Sequence, residues 1–258
     1  MQRRLDLALM LPFVVIFIAI ISWYLHSPHG VAPNTAALTR RTASTPPVSV
    51  GKSALGRQQA AVCLACHHLN GQPLLPGYPQ LAGQHANYIV EQTLLISRGQ
   101  RHSGLAAAMR GIASRLTEHD IRAIAQWYSR QPPSQQPLSP LTAIDAKRRD
   151  HGRALYFLGD AQRAIPACSA CHGPVGQGNP GPPYPRIGNQ SADYLIRRLT
   201  AYKHADDRPQ DDRRYRIMDM IAAKLSDEDI LALAIALQTL ADPLFVDSPP
   251  LPLRPADP

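Results

Sequence analysis

Cys63-Leu64-Ala65-Cys66-His67 and Cys168-Ser169-Ala170-Cys171-His172 are two copies of one pattern, 105 residues apart. Cys-x-x-Cys-His is the attachment pattern of a c-type haem, in which two thiols bond the porphyrin vinyl groups and the adjacent imidazole ligates the iron. The spacing lets one helical turn present both sulfurs to the same porphyrin edge. The sequence therefore predicts two covalently bound haem c groups. Their attachment residues are Cys63, Cys66, His67, Cys168, Cys171 and His172.

Two other uses of the four cysteines are a four-thiolate zinc site and a pair of redox-active dithiols. Both leave the two histidines unexplained. A zinc ribbon places its two cysteine pairs about 15 to 20 residues apart, and a thioredoxin-like motif needs a βαβ context, for which the sequence offers no convincing strand. Because every cysteine of the chain belongs to one of the two copies, two haem sites are the preferred interpretation.

The length of 258 residues fits two domains once tails are removed. The chain has 25 prolines and only 6% aromatic residues, which would give a thin apolar core for this length. A bound porphyrin supplies apolar bulk around which a small domain can fold.

The positive charge is concentrated toward the first half of the chain. Residues 51–133 contain eight Lys or Arg and three Asp or Glu, whereas residues 141–258 contain fifteen of each. A basic first domain would attract an acidic protein partner or an anionic membrane surface, unless it is simply a solvated face. No nucleic-acid recognition motif accompanies the charge, so no nucleic-acid partner is expected.

The N-terminus has the pattern of a membrane anchor. Residues 1–25 combine a short basic leader with an apolar stretch from Leu5 to Leu25, and Trp23 and Tyr24 come at interfacial height. A cleaved signal peptide is the alternative, although no Ala-x-Ala-like site follows the apolar stretch. In either case the remainder of the chain is expected outside the inner membrane, on the periplasmic side.

The chain then divides into segments that predict an all-α fold with two repeated domains. A flexible linker is predicted at 26–50, a first domain at 51–133, a Pro-rich inter-domain linker at 134–142, a second domain at 143–242 and a C-terminal tail at 243–258. Helices are predicted at 53–62, 85–97, from 118, at 143–158, at 191–203 and from 226.

The sixth ligand of each iron decides whether the haem binds small molecules or only carries electrons. Met109 lies seven residues before Leu116, and Met218 lies seven residues before Leu225, at the start of the last helix in each domain. This matched offset predicts that Met109 and Met218 are the axial ligands, each in a loop. Four histidines are rival ligands: His85, His102, His119 and His204.

These features together resemble the di-haem cytochrome c4 family, which consists of two class I cytochrome c domains in tandem. The resemblance covers about residues 51–242. It rests on the two haem motifs, on the alignment of 78–84 with 184–190 and on the Met before each Leu-Thr/Ser-Glu/Asp start of the last helix.

The resemblance implies His/Met ligation and a periplasmic location. It further implies that the carbonyls of Pro79 and Pro185 accept the Nδ1 hydrogens of the haem histidines, and that Tyr88 and Tyr194 either hydrogen-bond haem propionates or pack against the haems.

The function that follows is single-electron transfer from a respiratory donor, such as a quinol-oxidising complex, to a terminal haem-copper oxidase, without substrate turnover. Two alternatives remain open at this stage. One is a di-haem peroxidase-like oxidoreductase, and the other is a fixed cytochrome subunit of a respiratory or dehydrogenase complex.

Overall fold

The structure, a computed structural model, describes residues 22, 50–73, 75, 77–133, 143–181, 184–207, 209 and 213–240. From residue 50 onward these residues belong to one compact unit. They form helices and two isolated β-bridges, Asp160 with Ile165 and Asn179 with Tyr184. The predicted all-α class is therefore confirmed for the described residues.

Two sets of helices follow one another in the same order. The first set comprises α1 (Val50–Gln59), α2 (Leu64–His67), α3 (Ala86–Ser97), α4 (Ala106–Ala113) and α5 (Glu118–Ser129). The second set comprises α6 (Ala143–Leu158), α7 (Ser169–His172), α8 (Ala192–His204), α9 (Arg213–Ala222) and α10 (Asp227–Gln238). In each set the shortest helix carries the haem motif.

The last helix of each set begins where the sequence predicted. Thr117 and Ser226 accept the backbone N–H of the residue three positions on, and the carboxylates of Asp120 and Asp229 reach back to complete a capping box. This arrangement satisfies N–H groups that the helix itself leaves without acceptors.

A glycine lets the first and last helices of each set approach closely. A Cβ atom on Gly56 of α1 would lie 2.6 Å from the carbonyl oxygen of Ala123 in α5. A Cβ on Gly152 of α6 would lie 2.0 Å from the carbonyl oxygen of Ala232 in α10. Both distances are too short for a side chain, so the helix crossing needs glycine at these two positions.

The prediction that Met109 and Met218 lie in loops is wrong, because Met109 lies in α4 and Met218 in α9. Helix α4 starts with three alanines, the best helix formers, and these outweigh the unfavourable Gly111. Ala106 and Ala113, two turns apart on one face, are buried and give α4 a packed side.

A second difference is a short hairpin-like turn between α6 and α7. Its two ends are joined by the bridge between Asp160 and Ile165, and nothing comparable separates α1 from α2, where the 3-10 turn Ala60–Cys63 leads directly into the haem motif. The second haem motif is therefore approached by a longer connection than the first.

Several predicted segments lie outside the described residues. Apart from Ser22 and Val50, these are the N-terminal anchor 1–25, the linker 26–50, the inter-domain linker 134–142 and, from residue 243, the tail. Within the described part of the chain, no helix combines the length and hydropathy that a membrane span requires.

Candidate functional site

A cavity of about 360 Å³ is lined by side chains from both sets of helices. Both haem-motif histidines line it, and so do the two predicted axial methionines, Met109 from α4 and Met218 from α9. The remaining walls come mainly from apolar side chains of α3, α5, α8 and α10. The fold therefore brings each predicted pair of axial ligands to one apolar space.

The two haem-motif histidines have their ring orientation set by a backbone carbonyl. Nδ1 of His67 lies 3.3 Å from the carbonyl oxygen of Pro79, and Nδ1 of His172 lies 3.0 Å from that of Pro185. Because the carbonyl can only accept, Nδ1 carries the hydrogen and Nε2 is left with its lone pair. Nε2 is thus the nitrogen available to ligate an iron in the cavity.

Burial keeps these two histidines neutral. Both side chains are largely removed from water, and this desolvation lowers the pKa of His67 and of His172, although the carbonyl hydrogen bond acts in the opposite direction. A neutral imidazole is the form that binds a metal. The ring of Tyr78 packs edge-on against His67 at 6.1 Å between centroids, and Tyr184 lies 6.2 Å from His172.

The four cysteines form no disulfide bond with one another, so both sulfurs of each motif are available to attach a haem. Burial raises the pKa of the Cys63 and Cys168 thiols to about 11. No group of three or more His, Cys, Asp or Glu side chains among the described residues is arranged to hold a metal ion. Since all four cysteines are described, they form no common four-thiolate zinc site.

The rival axial ligands lie away from the cavity. None of the four rival histidines is among the described residues that line it. His85 faces the backbone of Gln177, and His102 lies beside the carboxylate of Asp207 with its side chain 60% exposed. His/Met ligation remains the arrangement that the geometry favours.

The two predicted tyrosines meet across the boundary between the two sets of helices. The hydroxyls of Tyr88 and Tyr194 lie close together, and Arg101 donates from Nη2 to the Tyr194 hydroxyl at 3.2 Å. Burial disfavours the ionised form of both hydroxyls, and it holds the pKa of Tyr88 well above its usual value. For Tyr194 the neighbouring Arg101 and Arg198 more than offset burial, so its pKa is lowered.

The two buried arginines were not foreseen from the sequence. Arg101 and Arg198 both line the cavity, and each is about nine-tenths buried. The Nε atom of each has no hydrogen-bond acceptor among the described residues. A haem carries two propionate carboxylates, which would supply the acceptors that these buried donors lack, so the residues fit the group.

No repeat signal could have revealed the arginines. By the alignment of Tyr88 with Tyr194, Arg101 corresponds to Asp207 and Arg198 corresponds to Gln92. Arg101 donates to Gln92 at 2.8 Å, and Arg198 donates to Asp207 at 2.8 Å. The same two positions of the repeat therefore form a hydrogen-bonded pair in both sets of helices. The arginine occupies the later position in the first set and the earlier position in the second.

Two further buried tyrosines support the haem motifs. The Tyr128 hydroxyl donates to the carbonyl of His68 at 3.1 Å, and the Tyr156 hydroxyl donates to that of Gly173 at 2.5 Å. Each accepting residue directly follows a haem-motif histidine. Because Tyr128 lies on the last helix of its set and Tyr156 on the first, the repeat alignment does not pair them.

Comparison with known proteins identifies the family. The cytochrome c family model matches residues 150–241. The chain is 32% identical over 198 residues to cytochrome c4 of Azotobacter vinelandii, covering 74% of this chain and 90% of that protein. The chain belongs to the cytochrome c4 family. Its relatives are di-haem electron-transfer cytochromes, and its two cysteine pairs fit two attachment sites for haem c.

A solved structure and a second relative agree with the assignment to the cytochrome c4 family. The crystal structure of reduced recombinant cytochrome c4 from Pseudomonas stutzeri superimposes with a TM-score of 0.64 at 32% identity, over 73% of this chain and 98% of that one. The chain is also 33% identical to a thiosulfate dehydrogenase electron acceptor of Thiomonas intermedia, over 71% of this chain and 81% of the relative. The tandem class I cytochrome c fold predicted from the sequence is thereby confirmed.

Proposed function

We propose that the chain is a membrane-tethered di-haem electron carrier on the periplasmic side of the inner membrane, with no substrate turnover of its own. It takes single electrons from a respiratory donor, such as a quinol-oxidising complex, and passes them to a terminal haem-copper oxidase. The observation that carries this proposal is the shared cavity, because a histidine and a methionine from each set of helices line it.

Each iron would be closed on both sides by protein ligands: His67 with Met109, and His172 with Met218. The haem irons, when bound, supply one-electron chemistry by cycling between ferrous and ferric states, and a thioether ligand favours the ferrous state. Pro79 and Pro185 hold the histidine rings through their carbonyl oxygens, and the largely apolar walls would lie against the porphyrins. If these four residues fill both axial positions, neither site would offer a vacancy for peroxide, which disfavours the peroxidase alternative.

The buried polar cluster between the two sets of helices would serve the propionates. Arg101 and Arg198 would neutralise carboxylate charge of the haems, while the hydroxyls of Tyr88 and Tyr194 lie in the same cluster and line the cavity. Because both sets contribute to one cluster, the two haems would approach each other here.

Ligation is tested by substituting each methionine in the haem-loaded protein. Met109→Ala and Met218→Ala should each abolish about half of the near-infrared thioether band of the ferric protein and let one haem bind carbon monoxide. Met220→Ala is the matched control, since Met220 lies on the same helix as Met218 with 64% of its surface exposed. Carbon monoxide binding by the unsubstituted protein at neutral pH would contradict the proposal.

The tether is tested separately by the fate of residues 1–25. The intact mass of the mature protein should include the N-terminus, and detergent but not high salt should release the protein from membranes. A measured mass that corresponds to a chain starting after the apolar stretch would show a cleaved signal peptide instead.

The donor has a second candidate, favoured by one relative. The Thiomonas intermedia protein is described as a thiosulfate dehydrogenase electron acceptor, so a sulfur-oxidising dehydrogenase could reduce this chain in place of a quinol-oxidising complex. Stopped-flow reduction of the oxidised protein by each class of donor separates the two. Co-purification after mild solubilisation tests whether the chain is instead a fixed subunit of a complex.

A further inference from the structure

Each haem-motif histidine is connected to the opposite set of helices through a single peptide group. The carbonyl of Pro79 accepts the Nδ1 hydrogen of His67 at 3.3 Å. The N–H of the same peptide group, which belongs to Gln80, donates to Oε1 of Gln190 at 2.8 Å. Gln190 immediately precedes Ser191, the N-cap of α8, so this acceptor belongs to the second set of helices.

The second histidine has the mirror arrangement. The carbonyl of Pro185 accepts the Nδ1 hydrogen of His172 at 3.0 Å. The N–H of that peptide group, which belongs to Arg186, donates to Oε1 of Gln84 at 2.9 Å. Gln84 comes from the first set of helices, so the two connections cross.

Both glutamine side chains are held firmly in place. Gln84 and Gln190 are each 5% exposed. Nε2 of Gln84 donates to the carbonyl of Arg186 at 2.9 Å, and Nε2 of Gln190 donates to that of Gln80 at 3.1 Å. Each Oε1 also accepts the backbone N–H of the residue that follows it in the sequence, at 3.0 Å for Gln84 and 2.9 Å for Gln190.

This geometry links the electronics of each histidine to the other half of the molecule. A hydrogen bond accepted from a peptide N–H polarises that peptide group and makes its carbonyl a better acceptor. A better acceptor strengthens the Nδ1 hydrogen bond and raises the basicity of the imidazole as a metal ligand. A more basic ligand stabilises the ferric state, so the acceptor lowers the reduction potential.

We propose that Gln84 and Gln190 are positioning residues that tune the reduction potential of the haem in the opposite half. Gln84 tunes the haem ligated by His172, and Gln190 tunes the haem ligated by His67. The proposal rests on the proposed electron-carrier function and assigns part of its control to two specific side chains. It makes the contact between the two halves part of the redox chemistry of each.

The test measures the two potentials separately in haem-loaded Gln84→Met and Gln190→Met proteins, following the haem-methyl NMR resonances of each half. Gln84→Met should raise the potential of the haem at His172 and leave the other unchanged. Gln190→Met should do the reverse. We expect about a threefold change in the ferric-to-ferrous ratio, which corresponds to about 28 mV at about 59 mV per tenfold change for one electron.

Gln80→Met is the matched control. It removes a buried bond between the halves, from Nε2 of Gln80 to the carbonyl of Asn189 at 2.8 Å, without removing the acceptor of either histidine peptide. Neither potential should change. If Gln80→Met shifts both potentials as far as the other variants do, the effect is loosening of the interface and the proposal is overturned.

Gln84→Glu gives a test that does not depend on removing the acceptor. One oxygen of the new side chain still accepts the Arg186 N–H, and the other replaces Nε2 opposite the Arg186 carbonyl, where it must carry a proton to keep that hydrogen bond. The acceptor is therefore kept without added charge, and the potential of the haem at His172 should stay near the wild-type value. A rise in Gln84→Glu as large as that in Gln84→Met would overturn the proposal.

A readout that does not involve potentials is the Arg186 amide of the reduced protein. In Gln84→Met its proton resonance should move upfield and its hydrogen exchange should accelerate, whereas Gln80→Met should leave both unchanged. An unchanged Arg186 amide in Gln84→Met would overturn the proposal. If the proposed function itself fails, the unsubstituted protein will bind carbon monoxide, a result independent of these glutamines.

Discussion

Asp207 is a buried carboxylate that joins the two sets of helices. Its side chain is 1% exposed. It accepts hydrogen bonds from the backbone of His102 and Ser103 at 2.8 and 2.9 Å, from the Ser103 hydroxyl at 2.5 Å and from Arg198 Nη1 at 2.8 Å. Because these partners include residues from both sets of helices, the carboxylate holds the two halves together.

Asp207→Asn isolates the charge without changing the size of the side chain. The amide oxygen can still accept the two backbone N–H groups, but the amide nitrogen cannot accept from Arg198, so the guanidinium would lose its buried ion pair with this side chain. A charge-assisted hydrogen bond contributes about 1.5–3 kcal/mol, and breaking a buried ion pair costs about 3–5 kcal/mol. We therefore expect the free energy of unfolding to fall by about 3 kcal/mol.

The assay is guanidinium denaturation of the haem-loaded protein, followed by circular dichroism. Asp227→Asn is the control, because Asp227 pairs with Lys203 while its own side chain is 94% exposed; that variant should unfold at the wild-type midpoint. An Asp207→Asn midpoint indistinguishable from that of Asp227→Asn would refute the reasoning.

The stabilisation lost in Asp207→Asn should also depend on pH. Burial raises the pKa of Asp207, but the donors from Ser103 and His102 and the charge of Arg198 more than offset it, so the folded pKa lies below the ordinary value. The stabilisation is therefore fully present above the unfolded pKa of about 3.9 and is lost as the pH falls through the folded pKa. The difference in unfolding free energy between wild type and Asp207→Asn should shrink below about pH 4.

Two further predictions concern backbone geometry. Gly152→Ala should destabilise the protein by about 1–3 kcal/mol, because its Cβ would lie 2.0 Å from a carbonyl oxygen of α10. Gly111→Ala should stabilise the protein by about 0.5–1 kcal/mol, because a Cβ at this helical position meets nothing within 4 Å. Equal effects of the two substitutions on the denaturation midpoint would argue against the close helix crossing. His68→Gly should stabilise the protein by about 1 kcal/mol, because φ of +58° with ψ of 161° favours glycine, and a lower denaturation midpoint would contradict that assignment of strain.

The features that the sequence predicted well are those encoded in short local patterns. The two haem motifs and the start of the last helix in each set need only neighbouring residues. The helices around Met109 and Met218 were missed because their apolar faces are short and the surrounding charge and glycine resemble a loop. Alanine propensity in α4 decided otherwise.

The features that could not be predicted depend on how the two halves pack. The sequence aligns Gln84 with Gln190, but only the packed structure shows that each side chain reaches the peptide group beside the other half's histidine. Likewise Arg101 and Arg198 occupy non-equivalent positions of the repeat, so their convergence on one cavity becomes visible only in three dimensions.

The central claim, two closed haems that each carry one electron, is tested most directly by a potentiometric titration of the purified protein with visible and near-infrared spectra. The account predicts two one-electron steps, a thioether band for both ferric haems and no carbon monoxide binding by the reduced protein. A single haem, or one iron that lacks the thioether band and binds carbon monoxide, would contradict it.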